Sequence, residues 1–143
     1  MTQTSADISI SQVVPLFSVT DIQRSSRFYV DALGFAMTNQ WIDGGKLRWC
    51  WLELGKAALM LQEFWYEGPH KNVPADRLGV GVSLNFQCVD VISLFKTFRA
   101  RGVDAQTPFV GNGMWVTRVV DPDGYLLFFQ SPTTEAEETV HEG

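Results

Sequence analysis

The chain has 143 residues, of which 45% are hydrophobic, and a formal net charge of −5 at pH 7. This length supports one well-buried core but not two ordinary domains, so we expect a single domain. The negative charge, without a cluster of Lys and Arg, argues against nucleic-acid and anionic-membrane partners and favours a neutral or cationic small ligand. The longest apolar stretches are strand-sized and interrupted by charge, so we expect no membrane span, no secretory signal and a cytoplasmic location.

The chain begins with a strand that leads into an amphipathic helix, in the run Phe17-Ser-Val-Thr-Asp21-Ile22. Asp21 stands at the N-cap position, where its carboxylate can accept from free backbone N–H groups, and Gly34 is placed to end the helix. Between them, small or apolar residues recur at helical spacing, namely Ile22, Ser25, Ser26, Tyr29 and Leu33.

Three strands are predicted after this helix, over Phe35–Ile42, Lys46–Leu54 and Lys56–Glu63. Glycine-rich turns separate them, so the first module, about residues 12–63, has the order β-α-β-β-β. Residues 64–78 lack any periodicity, and we interpret them as a linker.

The second module, about residues 79–131, repeats this pattern. The run Phe86-Gln-Cys-Val-Asp90-Val91 again leads from a strand into a helix, with Asp90 at the N-cap. Strands are predicted over Asp104–Val110, Met114–Asp121 and Tyr125–Ser131. The acidic tail, residues 132–143, is expected to be frayed and flexible.

Two motifs connect this repeat to a known family. They are Val19-Thr-Asp21 leading to Ser25-x-x-Phe28-Tyr29-x-x-x-Leu33-Gly34-Phe35, and Asp121-Pro122-Asp123-Gly124-Tyr125 before the last strand. Over residues 12–131 the chain resembles the glyoxalase/bleomycin-resistance/extradiol dioxygenase (vicinal oxygen chelate) superfamily, and in character its metal-free bleomycin-resistance-type binding proteins. The resemblance implies an α+β fold of two tandem βαβββ modules, whose curled half-barrel sheets have the helices outside and a ligand on the concave face.

Catalytic members of that superfamily bind a divalent metal through four strand residues, and the resemblance places these positions at Val14, Met60, Ser83 and Phe128. Aliphatic and phenyl groups have no lone pairs, a thioether is a poor ligand for hard cations, and one hydroxyl alone cannot hold a metal. We therefore predict no metal and no other cofactor. His70 and His141 are interpreted as solvated residues of the linker and the tail.

The same resemblance predicts which side chains line the concave face, because alternate strand residues point to opposite sides. A two-residue turn at Gly55-Lys56 pairs Trp51 with Met60 and Trp49 with Gln62. A tight turn at Pro122-Asp123 likewise sets Trp115 and Thr117 on the face of Phe128 and Gln130 and sends Arg118 toward the helices. The predicted ligand-binding residues are Trp49, Trp51, Met60, Gln62, Ser83, Asn85, Gln87, Trp115, Phe128 and Gln130.

Three functions fit this residue set. The favoured one is a metal-independent binding protein, without catalytic residues, that takes up an aromatic or cationic small molecule, because a dry core would leave amides beside the tryptophans unpaired. The alternative is a glyoxalase-family enzyme, such as a metal-free lyase or isomerase with Glu63 or Glu53 as the base. A third is a module whose tryptophans bind another protein. We also expect a homodimer, because half-barrels leave open strand edges.

Overall fold

Two four-stranded sheets, one from each half of the chain, form the framework of this computed structural model, which describes residues 8–142. In each sheet the first strand of the module runs parallel to the last, and the other neighbours are antiparallel. The strand orders are β1-β4-β3-β2 and β5-β8-β7-β6. The predicted α+β architecture of two tandem βαβββ modules is confirmed.

The first module contains β1 (Leu16–Val19), α1 (Ile22–Arg27), β2 (Ala36–Asp43), β3 (Lys46–Leu54) and β4 (Ala57–Glu63). The second contains β5 (Ser83–Gln87), α2 (Val91–Ala100), β6 (Phe109–Gly111), β7 (Met114–Val120) and β8 (Leu126–Pro132). Helix α1 continues as a π-helical segment over Phe28–Leu33. Within the described residues, no helix is long and apolar enough to cross a membrane.

The helix ends agree with the predicted caps. The carboxylate of Asp21 accepts from the backbone N–H of Arg24, and that of Asp90 from Ser93, at 3.2 and 3.0 Å. Gly34 has a φ of 97°, a left-handed conformation that a residue with a Cβ adopts only at a cost, and it ends the first helix. Matching caps therefore fix where each helix begins and where the first one ends.

One hydrophobic core joins the two modules on the helix side of both sheets. Phe17 stacks on Tyr125 with ring centroids 3.9 Å apart, and Phe35 meets Phe86 edge to face at 6.0 Å. Each of these pairs takes one ring from each module. The opposite face of each sheet points away from this core, and we refer to it as the inner face.

The chain differs from expectation at β6 and in the tail. Strand β6 starts at Phe109 instead of Asp104, and the preceding Pro108 has no N–H to donate to a ladder. The tail was predicted to be frayed, but residues 138–141 bond to the β6 region through Glu138 N–H to Val110 O and His141 N–H to Pro108 O. Residues 138–141 are therefore held against β6, contrary to the frayed tail that the sequence predicted.

Candidate ligand-binding site

The inner face of the first sheet carries the tryptophans. Strand β3 pairs with β4 so that Trp51 lies opposite Met60 and Trp49 opposite Gln62, which confirms the predicted pairing. All four side chains are partly exposed. Their alternates on the same two strands are buried against the core, namely Cys50, Leu52, Leu59 and Leu61.

Two rows of side chains cross this sheet from edge to edge. The first row runs from β2 to β1 through Trp41, Trp49, Gln62 and Ser18. The second row runs through Asn39, Trp51, Met60 and Leu16. We call the set Trp41, Trp49, Trp51, Met60 and Gln62 the tryptophan face.

The sequence analysis did not predict that Trp41 and Asn39 lie on this face. Strand β2 has register irregularities between Met37 and Asn39 and between Trp41 and Ile42. Each irregularity changes which residues face the partner strand, so simple alternation fails on this strand. Trp41 is 47% exposed at the sheet edge. The only signal in the sequence was a tryptophan inside the predicted strand Phe35–Ile42.

A carboxylate lies at the edge of the tryptophan face. The indole N–H of Trp51 donates to Oε2 of Glu53 at 2.7 Å, and Glu53 is exposed. This bond fixes the Trp51 ring and holds negative charge at its N–H edge, in the plane of the ring. Aromatic faces attract cations through the ring quadrupole, and a neighbouring carboxylate strengthens that preference.

The inner face of the second sheet is polar. Gln130 Nε2 donates to Asn85 Oδ1 at 2.9 Å, and Asn85 Nδ2 donates to Ser83 Oγ at 3.3 Å. Strand pairing sets Asn85 beside Phe128 and Gln87 beside Gln130. We call Ser83, Asn85, Gln87, Phe128 and Gln130 the amide face; all five were predicted to share this orientation.

The predicted orientation of Trp115 is wrong. Strand β7 pairs with β8 so that Arg118 lies opposite Phe128 and Trp115 opposite Ser131. The connection after β7 closes with Val120 opposite Leu126, one residue further along than a tight turn at Pro122-Asp123 requires. A one-residue change of register sends every side chain of the strand to the other face.

The corrected register explains the environments of these residues. Trp115 packs against the core and meets His141 edge to face at 5.9 Å, and the Thr117 hydroxyl donates to Gln106 O. Arg118 is exposed on the inner face. His141 was expected to be solvated, but the tail packs it between Trp115 and Phe95, and it is only partly exposed.

The residues that the resemblance placed at the metal positions of the superfamily supply at most one hard donor, the Ser83 hydroxyl. Met60 is level with Leu16 of β1, and Val14 precedes that strand. Thioether, aliphatic and phenyl groups supply no hard donors at these positions. Within residues 8–142, no group of three or more His, Cys, Asp and Glu side chains is placed to hold a metal ion.

Glu63, one of the two carboxylates considered as a base, is buried on the helix side. Its oxygens accept from the N–H of Ile22 at 3.0 Å, from Arg48 Nη1 at 3.2 Å and from Lys46 Nζ at 2.9 Å. The Arg48 guanidinium also lies 3.8 Å from the centre of the Trp65 ring. These contacts make Glu63 a cap for α1 and an ion-pair partner of Arg48 and Lys46.

A single chain does not bring all ten predicted residues to one cleft. No strand of the first sheet pairs with a strand of the second among the described residues. Ser83 and Phe128 line a shallow depression of about 260 Å³, whereas Asn85 and Gln87 line a cavity of about 810 Å³ between the modules. No residue of the tryptophan face lines either of these cavities, so the two faces share neither of them.

Comparisons with known proteins agree with this architecture. TnmS3, an antibiotic binding protein from Streptomyces sp. CB03234, is 20% identical, with a TM-score of 0.66 over 88% of this chain and 99% of that one. TioX from Micromonospora sp. ML1 is 21% identical, with a TM-score of 0.64 over 86% and 99% of the two chains.

A glyoxylase/bleomycin resistance protein/dioxygenase domain from Frankia sp. EAN1pec is 19% identical, with a TM-score of 0.68 over 90% of this chain and 96% of that one. At these identities the likeness shows a shared fold. No curated protein matches the sequence significantly. The family profile of the superfamily matches residues 9–129, and the chain therefore belongs to the glyoxalase/bleomycin resistance protein/dioxygenase superfamily.

Proposed function

We propose that this protein binds a planar aromatic compound, neutral or cationic, by stacking it on the tryptophan face, without a metal and without chemistry. The observation that supports this most directly is the row of Trp41 and Trp49 beside Trp51, all on one side of one sheet and all accessible. Rings that served only the core would be buried, as Phe35 and Phe129 are. Sequestration of such a compound would suit an antibiotic-resistance role.

The ligand preference follows from the shape and charge of the tryptophan face. Indole rings offer large apolar area and favour offset stacking with another flat ring system. Glu53 adds a negative charge next to Trp51, which favours a positively charged ring over an anionic one. TnmS3, an antibiotic binding protein of the same fold, is compatible with this kind of ligand.

We further propose that the protein acts as a homodimer, in which a second copy covers the open inner faces. Trp41 and Ile42 on the β2 edge are about half exposed, and Val13 before β1 is 91% exposed. Apolar groups and unpaired strand edges of this kind are normally covered by a partner. A closed cleft between two copies would also remove water from the stacked ligand.

The binding test uses proflavine as a planar cationic probe and anthraquinone-2-sulfonate as a planar anionic one. Fluorescence anisotropy of proflavine should report binding, and Trp51→Leu should weaken it about tenfold, because a stacked aromatic pair contributes about 0.5–1.5 kcal/mol beyond its buried area. Trp115→Phe, on the opposite face, serves as the matched control and should leave the affinity unchanged.

Three results would contradict the proposal: no binding of either dye, preference for the sulfonate, or equal loss of affinity in Trp51→Leu and Trp115→Phe. Elemental analysis of the purified protein tests metal independence, since stoichiometric zinc, nickel, iron or manganese would disprove it. Light scattering on the same sample tests the dimer, and a monomer mass at tens of micromolar would refute that part alone.

A further inference from the structure

A cavity lies between the two modules beside helix α2, and no residue of the tryptophan face lines it. Its volume is about 810 Å³, within the range of small-molecule pockets. Helix α2 contributes Leu94, Thr97 and Phe98 to its wall, and the β3–β4 turn closes the other side with residues 54–57. The cavity is therefore formed between the two modules, and neither module provides it alone.

The charges around this cavity have one sign. Lys56, in the β3–β4 turn, and Arg101, just after α2, are the charged residues of its lining, and no carboxylate from the described part of the chain joins them. Neither cation has an ion-pair partner within residues 8–142. In a protein with a net charge of −5, this gives an apolar cavity with a locally positive rim.

Arg101 is held at the rim by a specific contact. Its Nη1 donates to Ala32 O at 3.2 Å, at the end of the π-helical segment. Gly34 makes room for it, because a Cβ at that position would lie 3.3 Å from Nη1. The guanidinium has five N–H donors, so this bond leaves others available to a ligand.

We propose that this cavity is a second ligand site, which takes a small amphipathic carboxylate with an aromatic or branched apolar body. The apolar body would lie against the partly exposed side chains of Leu84, Phe86 and Leu94. The carboxylate would lie at the rim with Lys56 and Arg101. Asn85 and Gln87 also reach the cavity and can donate to the acid. This ligand has the opposite charge preference from that of the tryptophan face.

Calorimetric titration of the full chain with 2-naphthylacetate and its uncharged isostere 2-naphthylacetamide tests this site. The acid should bind about fivefold to tenfold more tightly than the amide, because Lys56 and Arg101 are exposed and solvent screens the attraction of each to the carboxylate. The double variant Lys56→Met/Arg101→Met should remove that preference. Lys96→Met, an exposed cation of α2 outside the lining, should retain it.

A blocking variant tests the location independently of charge. Thr97 is exposed and lines the cavity, so Thr97→Trp should fill it and abolish binding of both probes, whereas Lys96→Trp should not. Trp51→Leu should leave naphthylacetate binding intact, which separates this site from the proposed function. Equal affinity for acid and amide, no binding, or unchanged binding in a folded Thr97→Trp variant would overturn the proposal. Should Thr97→Trp fail to fold, Lys56→Met alone, in an exposed turn, still decides whether the acid preference falls.

Discussion

Tyr29 of the first module donates its hydroxyl proton to Oδ2 of Asp121 in the second module, at 2.8 Å across 92 residues of sequence. Oδ1 of the same carboxylate accepts from the backbone N–H groups of Asp123 and Tyr125 at 2.9 and 2.8 Å. Tyr29 is fully buried, and Asp121 is nearly so. The loop that follows β7 is thus shaped by a carboxylate that also ties the two modules together.

Removal of this contact should weaken the whole fold. Tyr29→Phe keeps the buried ring but leaves Oδ2 of Asp121 without its donor, so we expect a loss of about 1–3 kcal/mol in the free energy of unfolding. Urea denaturation followed by circular dichroism measures it. Tyr66→Phe is the control, since its hydroxyl donates to Thr20 O at the surface, and an equal loss there would contradict the argument.

The Asp121 carboxyl should make stability depend on pH. Burial raises its pKa above the usual 3.8, and the hydrogen bonds from Tyr125 and Tyr29 only partly offset this effect. A raised acid pKa means that the folded state holds a proton which the unfolded state releases. Stability from this group is complete below pH 3.8 and is lost as the pH rises through the raised value.

The corresponding measurement compares the wild type with Asp121→Asn in urea denaturation from pH 3 upward. The stability of the wild type relative to the variant should fall as the pH rises through this window and become constant above it. Asp31→Asn, at an exposed position, controls for general charge effects. A difference that stays constant over the window, or grows with pH, would show that the sign is wrong.

Loss of the Glu63 charge should be costly for a different reason. Glu63→Gln leaves the buried Arg48 guanidinium without its counter-ion, so we expect about 3 kcal/mol of destabilisation, in the range for breaking a buried pair. Thermal and urea melts measure this loss. Glu67→Gln, on the exposed linker, should change stability by no more than about 0.5 kcal/mol. If the two substitutions lowered the free energy of unfolding by similar amounts, the argument that Glu63 stabilises buried Arg48 would be wrong.

Thiol labelling can test the register of β7. In a Cys88→Ser background, Arg118→Cys should react readily with a maleimide, because position 118 is exposed on the inner face, whereas Thr117→Cys should stay protected. The remaining native thiol should not interfere, since burial raises the pKa of Cys50 to about 11. Faster labelling at position 117 than at position 118 would instead support the register predicted from the sequence, in which Trp115 lies on the inner face.

The sequence alone predicted the features that depend on short-range chemistry. Asp21 and Asp90 cap their helices because a carboxylate three residues from a free N–H can reach it in any protein. The pairing of Trp51 with Met60 followed from a two-residue turn between strands of clear alternation. The same alternation assigned four members of the tryptophan face and all five of the amide face, once the family resemblance indicated which side of each sheet is concave.

Tertiary structure decided the features that depend on a single residue of register or on distant contacts. Asp121 binds the N–H groups of Asp123 and Tyr125, which lengthens the loop and turns Trp115 from the inner face to the core. Irregularities in β2 bring Trp41 into line with Trp49, and the tail covers Trp115 with His141. Local sequence propensity does not predict these outcomes. Strand side chains alternate with a period of two, so one added residue moves every later side chain to the opposite face of the sheet.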